Sequence, residues 1–206
     1  MTDVRSTSCV FVSHCILAQC VMANGLVKRF PGPVKPVIQF CMDHDINIMQ
    51  MPCPETLCAA GGLGRDPHGK GWYERNGLRE TARGIARGQV AYMRQLTDAG
   101  IDVLAIIGVE FSPACAVNYL NKGRSIQKDQ GIFVEELRAA LERDGLDIPF
   151  VGICQRWTNK MESDLKDIIE PKLSRRSSRK VPPERRLGDK AVPRRNQAYP
   201  GRLAAE

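Results

Sequence analysis

A single cysteine sits between two prolines in the run MPCPE, where Cys53 is enclosed by Pro52 and Pro54 and followed by Glu55. Proline fixes φ and removes a backbone donor, so the pair ends the preceding apolar run and holds the thiol on a stiff turn. Two other cysteines have polar company of the same kind. Cys15 follows His14 in FVSHC, and Cys115 closes GVEFSPAC, where Glu110, Ser112 and Pro113 precede it. A buried cysteine is often a small apolar filler. A thiol on a rigid turn beside a carboxylate can instead be a nucleophile or a metal ligand.

The chain has eight cysteines, at positions 9, 15, 20, 41, 53, 58, 115 and 154, but no CxxC pair and only three histidines. Zinc-finger spacings are therefore missing, and any metal ligands must be gathered by the fold from distant segments. Apolar runs reach about eight residues, well short of the roughly 20 that span a bilayer. The amino-terminal run is too short for a secretory signal and is similar to a strand. A cytoplasmic protein with reduced thiols is the expectation, so the cysteines need an explanation other than structural disulfides.

Charge divides the chain in two. Residues 171–206 carry 11 Lys/Arg against 3 Asp/Glu, whereas residues 1–170 carry 19 against 20, so the net charge of +7 belongs to the tail. That tail is rich in Arg, Ser and Pro without apolar periodicity, and is expected to be disordered. It is the one segment through which nucleic acid binding is expected, electrostatically if at all.

The elements that must position the thiols alternate between strand and helix. Residues 8–14, 46–51, 102–109 and 148–154 are β-branched or apolar runs that predict strands, the third apolar enough to be covered on both faces. Helical spacing appears over 34–44, from about 78 to 99 before Gly100, over 131–145 and over 161–169. Residues 59–76 read as a long glycine-rich loop, and a second loop runs to Gln130. Repeated β-loop-α units predict one α/β, Rossmann-like three-layer domain over residues 1–170 with a mainly parallel sheet.

On that frame Cys15, Cys53 and Cys115 each fall just beyond a strand, and Cys154 closes the fourth. Ligands of open parallel sheets bind outside the carboxyl ends of the strands, so Cys15, Cys53 and Cys115, from three separate strand ends, converge on one rim. Three thiolates suit an iron–sulfur cluster with one open iron. They also suit zinc with a bound water, or a nucleophilic cysteine with His14 as base. On a strand His14 and Cys15 would face opposite ways, which weighs against that dyad. Glu55 and Glu110 could carry protons and Ser112 could orient water or substrate, while helix capping or an ordinary salt bridge is the plainer role for either carboxylate.

FVSHCIL, MPCPE and SPAC together resemble the three motifs of the thiouracil desulfurase family, in particular its desulfidase-related branch. The first two cysteines are 38 residues apart and the third lies 62 further on. The resemblance covers about residues 8–155. It implies a 4Fe-4S cluster held by Cys15, Cys53 and Cys115, with the open iron taking the sulfur of a small thiocarbonyl compound and water replacing it. Two departures fall in the loops that would contact substrate. CILAQCVMANGL stands where the family has an Arg-Tyr-Asp-Gly type segment, and Ala114 and Ala116 flank Cys115 where the family has Ser and Gly. The expected function is an iron–sulfur desulfurase. The alternatives are a metal-stabilised nucleic-acid or partner-binding module using the tail, and a zinc- or thiol-dependent hydrolase.

The remaining candidates are minor. Cys20, Cys58 and Cys154 are expected mostly to be packed, and Cys41, Met49 and Met51 to be core. In the glycine-rich loop, Trp72 and Tyr73 could cover a planar ring, and Arg65 and His68 are expected to be exposed contacts for a substrate.

Overall fold

Side-chain alternation places the first strand in the middle of the molecule. Cys9 and Phe11 face one apolar layer, Val10 and Val12 the other, and all six residues of β1 (Ser8–Ser13) are buried. A strand covered on both faces belongs at the centre of a parallel sheet. The computed structural model describes residues 4–123 and 125–177. After β1 come α1 (His14–Leu17), α2 (Lys35–Asp43), β2 (Asn47–Met51), α3 (Pro54–Leu57), α4 (Lys70–Arg75) and α5 (Leu78–Asp98). Then follow β3 (Asp102–Val109), β4 (Tyr119–Lys122), β5 (Ser125–Lys128), α6 (Ile132–Asp144), β6 (Phe150–Ile153) and α7 (Thr158–Ser177).

Four strands pair in the order β2-β1-β3-β6, all parallel. The pairing shifts between Cys9 and Val10, so β3 carries an irregularity at Leu104. Helices α5 and α6 cover one face through Ala82, Ala86, Val90, Phe133 and Leu137. The other face is covered by α2 and α7 through Val37, Phe40, Met161 and Leu165. The expected α/β three-layer arrangement is thus present, and no described helix is long and apolar enough to cross a membrane.

Three elements depart from the expectation. The loop before Gln130 contains the antiparallel hairpin β4–β5, whose residues are exposed apart from Leu120 and so carry no apolar alternation to read. The glycine-rich loop contains the short α4, anchored by the fully buried Tyr73. Helix α7 runs past residue 170 through Pro171 to Ser177, because Ile168, Ile169 and Leu173 continue its apolar contact with the core. The rest of the expected basic tail lies outside the described residues.

Helices α5 and α6 are also joined by charge. Glu136 is buried on α6, and its Oε1 and Oε2 accept hydrogen bonds from Arg79 Nη1 at 3.1 Å and Arg83 Nε at 3.0 Å. Burial alone would raise the Glu136 carboxyl, but the hydrogen bonds from Arg83 and Arg79 prevail and hold it below its ordinary 4.5. The unfolded chain then binds a proton that the folded chain does not, so this contribution is complete above the ordinary value and lost as pH falls through the folded one. We predict that Glu136→Gln flattens the acid limb of stability. The urea midpoints of wild type and variant should converge between about pH 5 and 3. A constant gap across that range would show that the carboxylate is not the acid-sensitive group.

Candidate functional site

From β1 the chain turns one way to β2, then returns across the sheet to β3 on the other side. Such a switch point opens a crevice beyond the carboxyl ends of the strands. Here those ends deliver Cys15 after β1, Cys53 after β2, Cys115 after β3 and Cys154 after β6, and all four thiols line one cavity of about 530 Å³. A cavity of about 480 Å³ at the amino end of β3 contains neither cysteine nor histidine.

Local sequence explains each placement. The first strand stops at Ser13, and the helical turn of α1 brings His14 and Cys15 to the cavity together. The opposed facing expected of a continuous strand is therefore absent, but His14 Nδ1 is buried without a hydrogen-bond partner and bonds no cysteine. Cys53 caps α3 with φ −82° and ψ 114°, Pro54 occupies the first turn, and Thr56 Oγ1 donates to the Cys53 carbonyl at 2.9 Å. The Cys115 loop lies directly on the sheet. Val109 N donates to the Cys115 carbonyl at 3.1 Å, while Phe133 N at the start of α6 donates to the Ala114 carbonyl at 2.9 Å. Gly108 permits this approach, since a Cβ there would collide with the Cys115 carbonyl.

The thiols share an electrostatic cost. Burial pushes Cys15 up to about 12, with Cys53 and Glu55 adding to the effect. Burial also raises Cys53, helped by Glu55 and opposed by the amides of Thr56 and Glu55 and by Arg65. Cys115 is pushed well above the usual thiol range by burial, then by Cys15 and Cys53. The Ser13 hydroxyl lies beside Cys115 and favours its thiolate, although it forms no hydrogen bond of good geometry. A cationic group bound among the three would favour their thiolates, and its loading would release protons.

Glu55 is the centre of the polar network. Its Oε2 accepts hydrogen bonds from Arg65 Nη2 at 2.8 Å, Arg65 Nε at 3.2 Å and the Tyr73 hydroxyl at 3.2 Å. Its Oε1 accepts one from Ser112 Oγ at 3.2 Å, and Ser112 Oγ in turn accepts from the Cys115 amide at 3.0 Å. Arg65 Nη1 donates to the carbonyls of Val21 at 2.8 Å and Gly62 at 3.1 Å. The side chains of Arg65 and Glu55 are 7% and 10% exposed. Arg65 is therefore a buried strut and not the expected exposed contact, because the carboxylate draws it inward. Glu110 is differently employed. Its oxygens accept from the amides of Asn118 at 3.1 Å and Tyr119 at 2.9 Å and from Asn118 Nδ2 at 2.8 Å, fastening the loop to β3.

The structure brings Cys15, Cys53, Cys115, Glu55, Glu110 and Ser112 to one cavity together with His14 and Arg65, and leaves Trp72, Tyr73 and His68 outside it. Trp72 stacks on His68 at 3.8 Å and Tyr73 is wholly buried, so neither covers the cavity. Cys9 and Cys41 are core, raised by burial to about 11 and about 12. Cys58 donates to the Asn76 carbonyl at 3.3 Å, and Cys20 is exposed. Cys154, expected to be packing, lines the cavity. So do Lys28, Arg29 and Arg156, which make its mouth positive, and Phe111. No sequence signal marks these last residues, since the loops that carry them meet only in the fold. Among the described residues, no three His, Cys, Asp or Glu side chains converge closely enough to hold a single metal ion.

No family model matches the chain. An uncharacterized protein of Methanocaldococcus jannaschii is 28% identical over 132 residues, which span 64% of this chain and 76% of that protein. Among solved structures, a 4Fe-4S-dependent thiouracil desulfidase (TudS) is similar with a TM-score of 0.45 and 18% identity, covering 80% of this chain and 97% of that one.

Removing one member of a buried ion pair strands the other charge. Arg65→Met should lower unfolding stability by about 3–5 kcal/mol in urea titration. Combining it with Glu55→Gln should restore part of that loss. Equal losses in the single and double variants would mean that the two side chains are not coupled.

Proposed function

We propose that this protein is an iron–sulfur-dependent desulfurase that removes sulfur from a small thiocarbonyl compound. One observation carries the reading: three thiols from separate strand ends share a cavity with a buried carboxylate that is wired to the third thiol's loop through Ser112. The motif resemblance supports it independently. The donor set fits a 4Fe-4S cluster in its chemistry, since three soft sulfurs line one cavity of about 530 Å³. Cys15, Cys53 and Cys115 would hold it. When bound on three thiolates, such a cluster supplies an iron with no protein ligand, a soft Lewis acid that prefers sulfur to oxygen.

The protein's own residues then have defined tasks. Glu55, an acceptor held by Arg65, Tyr73 and Ser112, takes a proton from water as its oxygen adds to the thiocarbonyl carbon. The carbon–sulfur bond breaks, a carbonyl forms, and the sulfur leaves as sulfide with the protons of the water. Carbon keeps its oxidation state, so no reductant or oxidant is required. Ser112 joins Glu55 to the cavity and to the Cys115 amide, keeping the proton path and the third ligand in register. Glu110, itself in the cavity wall, holds the amides of Asn118 and Tyr119 and so fastens the chain beyond Cys115 to the end of β3. The positive mouth formed by Lys28, Arg29 and Arg156 attracts electron-rich or anionic compounds. Free thiols and such a cluster are consistent with a reducing cytoplasm.

Wild-type protein reconstituted without oxygen should hold about four irons and absorb broadly near about 400 nm. Cys15→Ser, Cys53→Ser and Cys115→Ser should each lose most of that iron, while Cys41→Ser keeps it. Unchanged iron in Cys53→Ser would overturn the ligand assignment, and zinc in place of iron would overturn the reading. Glu55→Gln should retain the cluster yet turn over thiouracil about 10²–10⁴-fold more slowly.

A further inference from the structure

Phe111 stands between Glu110 and Ser112 at the end of the central strand, and its φ is +68°. Among the described residues only Asp45 shares a positive φ without being glycine. A bulky aromatic residue in that region is strained, and such strain persists only where the surroundings enforce it. Here they do. Phe111 N donates to the Tyr119 carbonyl at 2.9 Å, Ser112 N donates to the Val109 carbonyl at 3.3 Å, and Glu110 clasps the amides of Asn118 and Tyr119. Phe111 lines the wall of the thiol cavity. Behind it Trp157 meets the ring edge-on, centroids 6.1 Å apart at 83°, so the ring is braced from outside.

Glycine at this position would relieve the backbone, so the feature that needs explaining is the ring itself. A half-buried aromatic face beside the reacting groups offers a platform for another planar π-system. We propose that Phe111 is the specificity-determining wall of the cavity, stacking on a planar heteroaromatic ring so that ring thiocarbonyls are accepted over acyclic ones. The inference depends on the desulfurase reading above and adds to it the residue that selects the ring.

The test compares two thiocarbonyl probes, thiouracil and thioacetamide, with iron-loaded wild type and Phe111 variants. The ratio of their kcat/KM values should fall about tenfold in Phe111→Leu, the size of one stacking contact. The loss should appear in KM for thiouracil more than in kcat, with iron content equal to wild type. Phe111→Tyr should restore the ratio. Phe111→Gly should lose it too, although its urea midpoint equals or exceeds that of wild type, which separates the ring's role from the fold. A ratio unmoved by Phe111→Leu at full iron content overturns this inference alone. Wild-type protein that binds no iron overturns the desulfurase reading and this inference with it.

Discussion

Around the ion pair of Glu55 and Arg65 three separate loops come together. The carboxylate belongs to the turn that carries Cys53, and through Ser112 it reaches the turn that carries Cys115. The guanidinium comes from the glycine-rich loop and reaches back to the carbonyl of Val21, beyond Cys15. Removing two charges from water costs several kcal/mol each, and a buried pair repays this only when its remaining donors and acceptors are also satisfied. Here they are, since Tyr73, Gly62 and Val21 complete the set. The pair therefore does more to fix the relative positions of three cysteine-bearing loops than to stabilise the fold.

The sheet below imposes the other constraint. A parallel strand ends in a loop at the same edge as its neighbours, so four strands deliver four loops to one rim. That rim becomes a site only if the loops lie close to the sheet. Gly108 and Gly152 are bare where the Cys115 carbonyl and the Glu110 carboxylate press down, and a methyl group at either position would lift the loop. Close contact with the sheet thus holds the Cys115 loop down while the ion pair ties the loops to one another, and neither contact uses a thiol.

Their burial weighs against a nucleophilic role. Each of the three thiols is made harder to ionise by burial and by its neighbours. A nucleophilic cysteine needs the opposite, a thiolate favoured by a nearby cation or base, and the adjacent His14 bonds none of the three. On the desulfurase reading proposed above, ligation of a multinuclear cationic group would remove the conflict, because the charge that burial opposes would be neutralised where it forms.

Much of this was legible in the residues. Two prolines around Cys53, apolar runs of strand length and the intervening helical periodicities are local features, and they sufficed for the layered α/β fold and for the rim on which Cys15, Cys53 and Cys115 lie. What no spacing could show was pairing across loops. Glu55 and Arg65 are ten residues apart with a glycine-rich turn between them. Phe111 is held at its positive φ in part by a hydrogen bond to Tyr119, and the strand end that carries Cys154 meets the others because β6 lies beside β3. Local sequence determines which elements form and what chemistry they carry to their ends. Which side chains then meet depends on strand order and on loop contacts of long range, and these exist only once the chain has folded.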